Sequence, residues 1–288
     1  MRYTSGKDWH GCAAKRVILF GMSGLGKTHI SNMLRDTKAW YHYSVDYRIG
    51  TRYLGEAIDD NLKKVAMRDP FLRDQFLSDS IYIKSNITFN NLAPVSYFLG
   101  KPGAPELGGI PMVEFQRRQA LFRTAEEAAL MDTGHFISRA QDLYGYPHFV
   151  CDTGGSICEW VDAKDPSDPI LKALSKDALL VWIKGSEAHT EELIRRFDRA
   201  PKPMAYQPEF LAAIWDEYLS EKRVSEAEVN PDDFIRYTYA RALAHRQPRY
   251  AAMAENWGVT VSAEDVAAAK TPEGFDTLIG EALDFRAS

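Results

Sequence analysis

The chain has little cysteine, no excess of positive charge and no long apolar run. Its three cysteines, Cys12, Cys151 and Cys158, are odd in number and none stand in a C-x-x-C spacing. That indicates neither a disulfide framework nor a zinc site, and it fits a reducing compartment. Lys and Arg number 35 against 40 Asp and Glu, a formal net charge of -5. No global basic field gathers nucleic acid, so an anionic ligand must be met by a local basic site. No apolar stretch approaches the roughly 18 residues of a membrane span. Residues 1–16 lack the apolar centre of a secretory signal. The expectation is a cytoplasmic protein with neither a membrane nor a nucleic-acid partner.

What is present is an ordinary globular composition, 45% hydrophobic and 26% charged over 288 residues, enough to bury a core without disulfides or metal. One motif stands out. Arg16–Phe20 is a short apolar run that reads as a buried strand. Gly21-Met22-Ser23-Gly24-Leu25-Gly26-Lys27-Thr28 follows, and His29–Arg35 continues as a helix with Ile30, Met33 and Leu34 on one face. A glycine-rich turn between a strand and a helix is a P-loop context. Glycines let the backbone wrap phosphate oxygens, and the helix N-terminus adds its dipole. Lys27 then reaches the β- and γ-phosphates, and Thr28 offers a hydroxyl to Mg²⁺.

Further strands are expected at Trp40–Val45, ending at Asp46; at His148–Cys151, ending at Asp152; at Ala178–Ile183; and at Gly258–Val261. Helical patterns cover Glu187–Asp198, Glu209–Leu219, Pro231–Ala244 and Glu273–Leu283. Alternation of this kind implies a parallel sheet covered on both faces, with ligands beyond the carboxyl ends of the strands. The P-loop, Asp46 and Asp152 all fall at such ends. Asp152 is read either as a carboxylate reaching Mg²⁺ through water or as a turn cap. Asp46 is read either as the base for an attacking hydroxyl or as a structural turn residue. Gly154-Gly155 allows a substrate close to the backbone, or is simply a tight turn. Arginines cluster at 117–118, 195–199 and 246–249, as transferred-phosphate cations or as solvated surface. Residues 1–15 read as a flexible or draped arm. Glu56–Phe76 looks helical, and residues 54–109 form an insertion within one domain spanning 1–288.

These residues resemble shikimate kinase and its P-loop kinase relatives. The glycine loop matches the family form G-x-x-G-x-G-K-S/T. Ser44-Val45-Asp46 sits where the family has a strand ending in Asp-x-Asp. Glu114–Gln119 resembles its F-R-x-x-E helix, whose arginine holds the substrate carboxylate, with Arg117 and Arg118 both candidates. Thr153-Gly154-Gly155-Ser156 resembles its glycine turn. Arg195 or Arg196 falls at its adenine-side arginine, and Arg199 with Lys202-Pro203 at the start of its lid. Leu243–Ala254 resembles its L-x-x-R-x-P-x-Y-x-x-x-A helix, with Arg246 on the anionic group of the substrate.

The resemblance implies an α/β P-loop NTPase, three-layer α/β/α, with a five-stranded parallel sheet in the order 2-3-1-4-5. It implies Mg²⁺-dependent transfer of the γ-phosphoryl group of ATP to a hydroxyl of a small anionic metabolite. Gly21, Ser23, Gly24, Leu25, Gly26, Lys27, Thr28 and His29 would hold the nucleotide. Thr28 and Asp152 would hold the metal. Asp46, Gly154, Gly155 and Arg246 would hold the acceptor, with Lys27, Asp46 and Arg199 catalytic. Departures are Ser44 for the first Asp, Asp152 for a small residue, Ser156 for the third glycine, the insertion, and a long stretch from 204 to 230. A nucleoside or nucleotide kinase, a GTPase-type switch reading Asp152–Gly155 as D-x-x-G, and a regulatory ATP-binding module remain alternatives. No N-K-x-D segment follows the fourth strand.

Overall fold

The computed structural model describes residues 2–288. Five strands, β1 (Arg16–Phe20), β2 (Trp40–Ser44), β3 (His148–Asp152), β4 (Leu179–Lys184) and β5 (Gly258–Ser262), form one sheet. All pair in parallel, in the order β2-β3-β1-β4-β5. Successive residues Val17 to Phe20 are all buried. Alternate side chains of a strand point to opposite faces, so both faces of the sheet are covered. Helices Lys27–Asp36 and Thr133–Tyr144 pack on β2 and β3, and Pro231–Trp257 packs on β4 and β5. The register pairs Ser44 with Asp152 and Asp152 with Leu19. The ends of β1, β2 and β3 therefore lie level, and whatever follows each strand meets at one edge.

The segment between β2 and β3 is more helical than the expected helix and loops. It holds Gly55–Ala66, Pro70–Leu77, Ala93–Leu99 and the 20-residue helix Met112–Met131 before Thr133–Tyr144. Leu54, Ile58, Val95, Phe98 and Leu99 join the apolar cluster that packs on the sheet. Helix Pro70–Leu77 buries none of its residues. A second apolar cluster joins Met112 and Phe115 to the helices Pro208–Lys222 and Pro231–Trp257 through Trp215, Tyr218, Phe234 and Ile235. The extra length from 204 to 230 builds this cluster.

Two local outcomes sharpen the sequence reading. The helix beginning at Pro231 does not stop at Ala244 but runs through Pro248 to Trp257. Burial of Leu243, Arg246, Tyr250, Met253 and Ala254 along one stripe offsets the hydrogen bond that Pro248 removes. The N-terminal arm is draped. Ser5 caps the helix Gly6–Gly11, Trp9 is fully buried, and its indole donates to the Asp276 carbonyl at 3.0 Å.

Candidate functional site

At the level edge of the sheet lies a cleft of about 320 Å³. The glycine loop forms one wall. Gly21, Gly24 and Gly26 have φ of 129°, 87° and 101°, the region that favours glycine. Helix Lys27–Asp36 starts at Gly26 with no side chain capping it, so its leading N–H groups are free for an anion. Ser23, Thr28 and His29 are exposed around this start and line the cleft, whereas the Leu25 side chain is buried. Lys27 is buried, and its Nζ donates to the carbonyls of Gly21 at 2.6 Å and Met22 at 2.8 Å. Burial pushes the ammonium down to about 8, opposed by the charges of Asp46 and Asp152.

The opposite wall is acidic. Asp46 lies in the turn Val45–Arg48, which Ser44 caps. Asp152 closes β3. Burial, reinforced by the Asp152 charge and opposed by Lys27, pushes Asp46 up to about 6. His42 on β2 approaches Asp152 Oδ1 at 3.3 Å but off the line a hydrogen bond needs, so both are left without hydrogen-bond partners. Thr28 and Asp152 line the same cleft. A hard hydroxyl and a carboxylate oxygen without a hydrogen-bond partner are donors that suit Mg²⁺.

Gly154 stands between two carboxylates. A Cβ there would lie 2.7 Å from Asp46 Oδ1 and 3.2 Å from Glu126 Oε1. Glu126 is fully buried; its Oε2 accepts from Ser156 at 2.6 Å and from the Trp160 indole at 2.7 Å, while Oε1 has no partner. Burial and the Asp46 charge push Glu126 up to about 7, against the hydrogen bonds of Ser156 and Trp160. A Cβ on Gly155 would lie 3.6 Å from Ser23 Oγ, Arg246 Nη1 and Tyr250 Oη alike. Tyr250 donates to the Gly155 carbonyl and so fixes the turn. Arg246 is buried, with Nε on Glu159 at 2.6 Å and Nη2 on the Ala205 carbonyl at 2.5 Å. The remaining nitrogen, Nη1, is the one beside Gly155.

The structure brings together the P-loop residues, Asp46, Asp152, Gly154, Gly155 and Arg246. Other arginines lie elsewhere. Arg117 is exposed and tied to Glu114. Arg118 is buried, but it binds Glu114, the Phe98 carbonyl and Asn61, a cross-tie between helices away from the cleft. Arg195 and Arg196 point outward and pair with Glu192. Arg199 ends its helix beside a different cavity. The segment after it is pinned, since Gln119 binds Met204 O and Tyr206 N, both at 2.9 Å, and Tyr206 lies in the second core.

Glu126, His42, Glu159 and Tyr250 were not singled out by sequence. A signal for Glu126 exists. Phe122-Arg123-Thr124-Ala125-Glu126 spells F-R-x-x-E in full, about two turns beyond the register chosen at Glu114–Gln119. Arg123 there pairs with Glu127 at 2.8 Å and lies 5.6 Å from the centre of the Trp160 ring.

Glu126 makes a stability prediction. Its folded value of about 7 exceeds the ordinary 4.5. The folded state therefore binds more protons than the unfolded state between those values, and stability falls as pH rises through that window. Glu126→Gln removes the penalty, keeps an acceptor for Ser156 and Trp160, and turns an amide toward Asp46. The variant should be more stable by about 3 kcal/mol at pH 8, and equal to the parent below pH 4.5. Thermal unfolding at the two pH values checks it; an equal gain at both would remove the titration as its cause.

The sheet order and the glycine loop after β1 place the chain in the P-loop α/β class. No protein-family model matches it, and no curated protein matches it. A crystal structure of shikimate kinase from Bacteroides thetaiotaomicron is similar in structure. It is 14% identical, covers 95% of this chain and 98% of its own, and has a TM-score of 0.42.

Proposed function

We propose that the protein transfers the γ-phosphoryl group of ATP to a hydroxyl of a small anionic metabolite, as a single kinase-like domain in which residues 54–109 are an insertion. The observation that supports this most is the meeting of Lys27 and the uncapped helix start with Asp46 and Asp152 in one cleft. The loop amides and Lys27 hold the phosphates. Thr28 and Asp152 would hold Mg²⁺, which would supply charge neutralisation to the phosphates. Asp46 accepts the hydroxyl proton as the acceptor oxygen bonds to phosphorus. The bond to the β-phosphate breaks, and ADP leaves. Glu126 Oε1 receives a second hydroxyl of the acceptor, Gly154 and Gly155 let it approach the backbone, and Arg246 Nη1 meets its anionic group.

The test is Mg²⁺-dependent ADP release with shikimate, polyols, sugar acids, nucleosides and nucleotides, using Lys27→Ala as the blank. Strong stimulation by one acceptor supports the reading and names the acceptor class. ATP binding without turnover for any of them moves the chain to a regulatory nucleotide-binding module. One variant isolates the anion clamp. Arg246→Lys keeps a charge for Glu159 but loses the planar fork. The acceptor KM should rise at least about tenfold, with ATP affinity unchanged. A fall in kcat at constant KM would place Arg246 in the chemistry instead.

A further inference from the structure

The largest cavity described, about 570 Å³, is not the P-loop cleft. It lies where the insertion meets the second apolar cluster. Helix Ala93–Leu99 and the following loop form one side, and residues 199–203 with the start of helix Pro231–Trp257 form the other. Its volume falls within the range of small-molecule sites, which favour such junctions. Leu92 lines the P-loop cleft and Ala93 lines this one, so the two are neighbours separated by a single stretch of chain.

Its walls carry four cations, Lys101, Arg199, Lys202 and Arg236, and one acid, Asp232. Two cations are already engaged. Lys101 binds Asp232 at 2.5 Å, and Arg236 binds Asp233 at 3.1 Å and the Asp198 carbonyl at 3.0 Å. Arg199 and Lys202 form no ion pair among the described residues. Beside them Tyr97 is 80% exposed, and Pro203 and Pro231 add apolar surface. A large exposed aromatic next to two unpaired cations is an arrangement that receives a planar ring bearing an anionic group.

We infer that this cavity is a second ligand site, separate from the P-loop cleft, for a ring-bearing small anion of the nucleoside monophosphate class. The ring lies on Tyr97, and the phosphate meets Arg199 and Lys202. The inference does not depend on the kinase reading, because neither Lys27 nor Asp46 belongs to the cavity.

The experiment is equilibrium binding of a nucleoside monophosphate, with inorganic phosphate and benzoate as comparison probes. The proteins are the parent, Lys202→Glu, Tyr97→Ala and Lys27→Ala, each checked for an unchanged unfolding temperature. Lys202 and Tyr97 are exposed, so neither substitution disturbs the core. Lys202→Glu should weaken the monophosphate at least tenfold, and Tyr97→Ala about tenfold, with ATP affinity unchanged in both. Lys27→Ala should lose ATP and keep the monophosphate. Inorganic phosphate should bind more weakly because it lacks the ring, and benzoate because its single carboxylate charge replaces the phosphate. The inference is overturned if no probe binds in the millimolar range, or if the monophosphate is displaced competitively by ATP and lost with Lys27. It is overturned equally if Lys202→Glu and Tyr97→Ala leave binding as it was. A failure of the kinase reading appears only in the ADP-release assay and leaves these outcomes as they stand.

Discussion

Lys27→Ala is expected to lower kcat/KM for ADP formation about 10³-fold, the scale of losing one preorganised charge on the transferred group, while leaving the protein as stable as before or more so. The two effects separate because of how the lysine is held. Its ammonium is buried against two loop carbonyls and pushed from 10.5 down to about 8. Between those values the unfolded chain binds more protons than the folded one, so stability rises with pH through that window. At neutral pH the buried charge is a burden in the nucleotide-free protein. Alanine removes the burden along with two hydrogen bonds. A polyphosphate supplies the missing counter-charge and restores the ammonium. ATP binding near pH 9 should therefore draw about one proton from the buffer in the parent, and none in the variant. Calorimetry in buffers of different ionisation enthalpy reads this directly. Retention of ATP affinity and turnover by Lys27→Ala would falsify the P-loop assignment.

The parts of the fold legible in the sequence are those where one short-range signal dominates. Val17 to Phe20 are consecutive apolar residues because both faces of β1 are covered, and the run reads as a buried strand for the same reason. Positive φ at Gly24 and Gly26 is what the glycines of the motif supply. The missed parts are those where tertiary packing overrides the letters. Helix Met112–Met131 buries a regular stripe, but Arg118, Gln119 and Glu126 stand in it. Their polarity hides the period, although each is held inside by named partners, with only Glu126 Oε1 left over. That stripe also explains the place of the arginine: Arg118 is oriented inward to hold helices together, and Glu126 occupies the position beside Gly154. Arg199 was placed in the chemistry by order along the chain. The pinned segment at 204–206 leaves it facing another cavity.

Asp46→Asn is the other large effect. Loss of a positioned base lowers turnover by about 10²–10⁴-fold, whereas a residue that merely shaped a turn would leave it within a few-fold. Ser44, not Asp46, provides the cap on the Val45–Arg48 turn, so the backbone should survive the change. Asparagine also relieves the repulsion from Asp152 that helps push Asp46 up to about 6. The folded value exceeds the ordinary 3.8, so the parent loses stability as pH rises from there to about 6. The variant escapes that loss, and its unfolding temperature at pH 8 should rise while activity collapses. The pH profile carries a second signature. For the parent, kcat/KM should fall about tenfold per unit below pH 6 as the base takes its proton. Saturating Mg²⁺ should move that limb to lower pH, since a bound cation favours the ionised carboxylate. Glu126 titrates beside it and shares its charge, so the limb belongs to the pair, and Glu126→Gln should simplify it to one step. If Asp46→Asn keeps both its rate and its acid limb, the proton goes to another group, and Glu126, whose Oε1 flanks the same glycine, becomes the next carboxylate to replace.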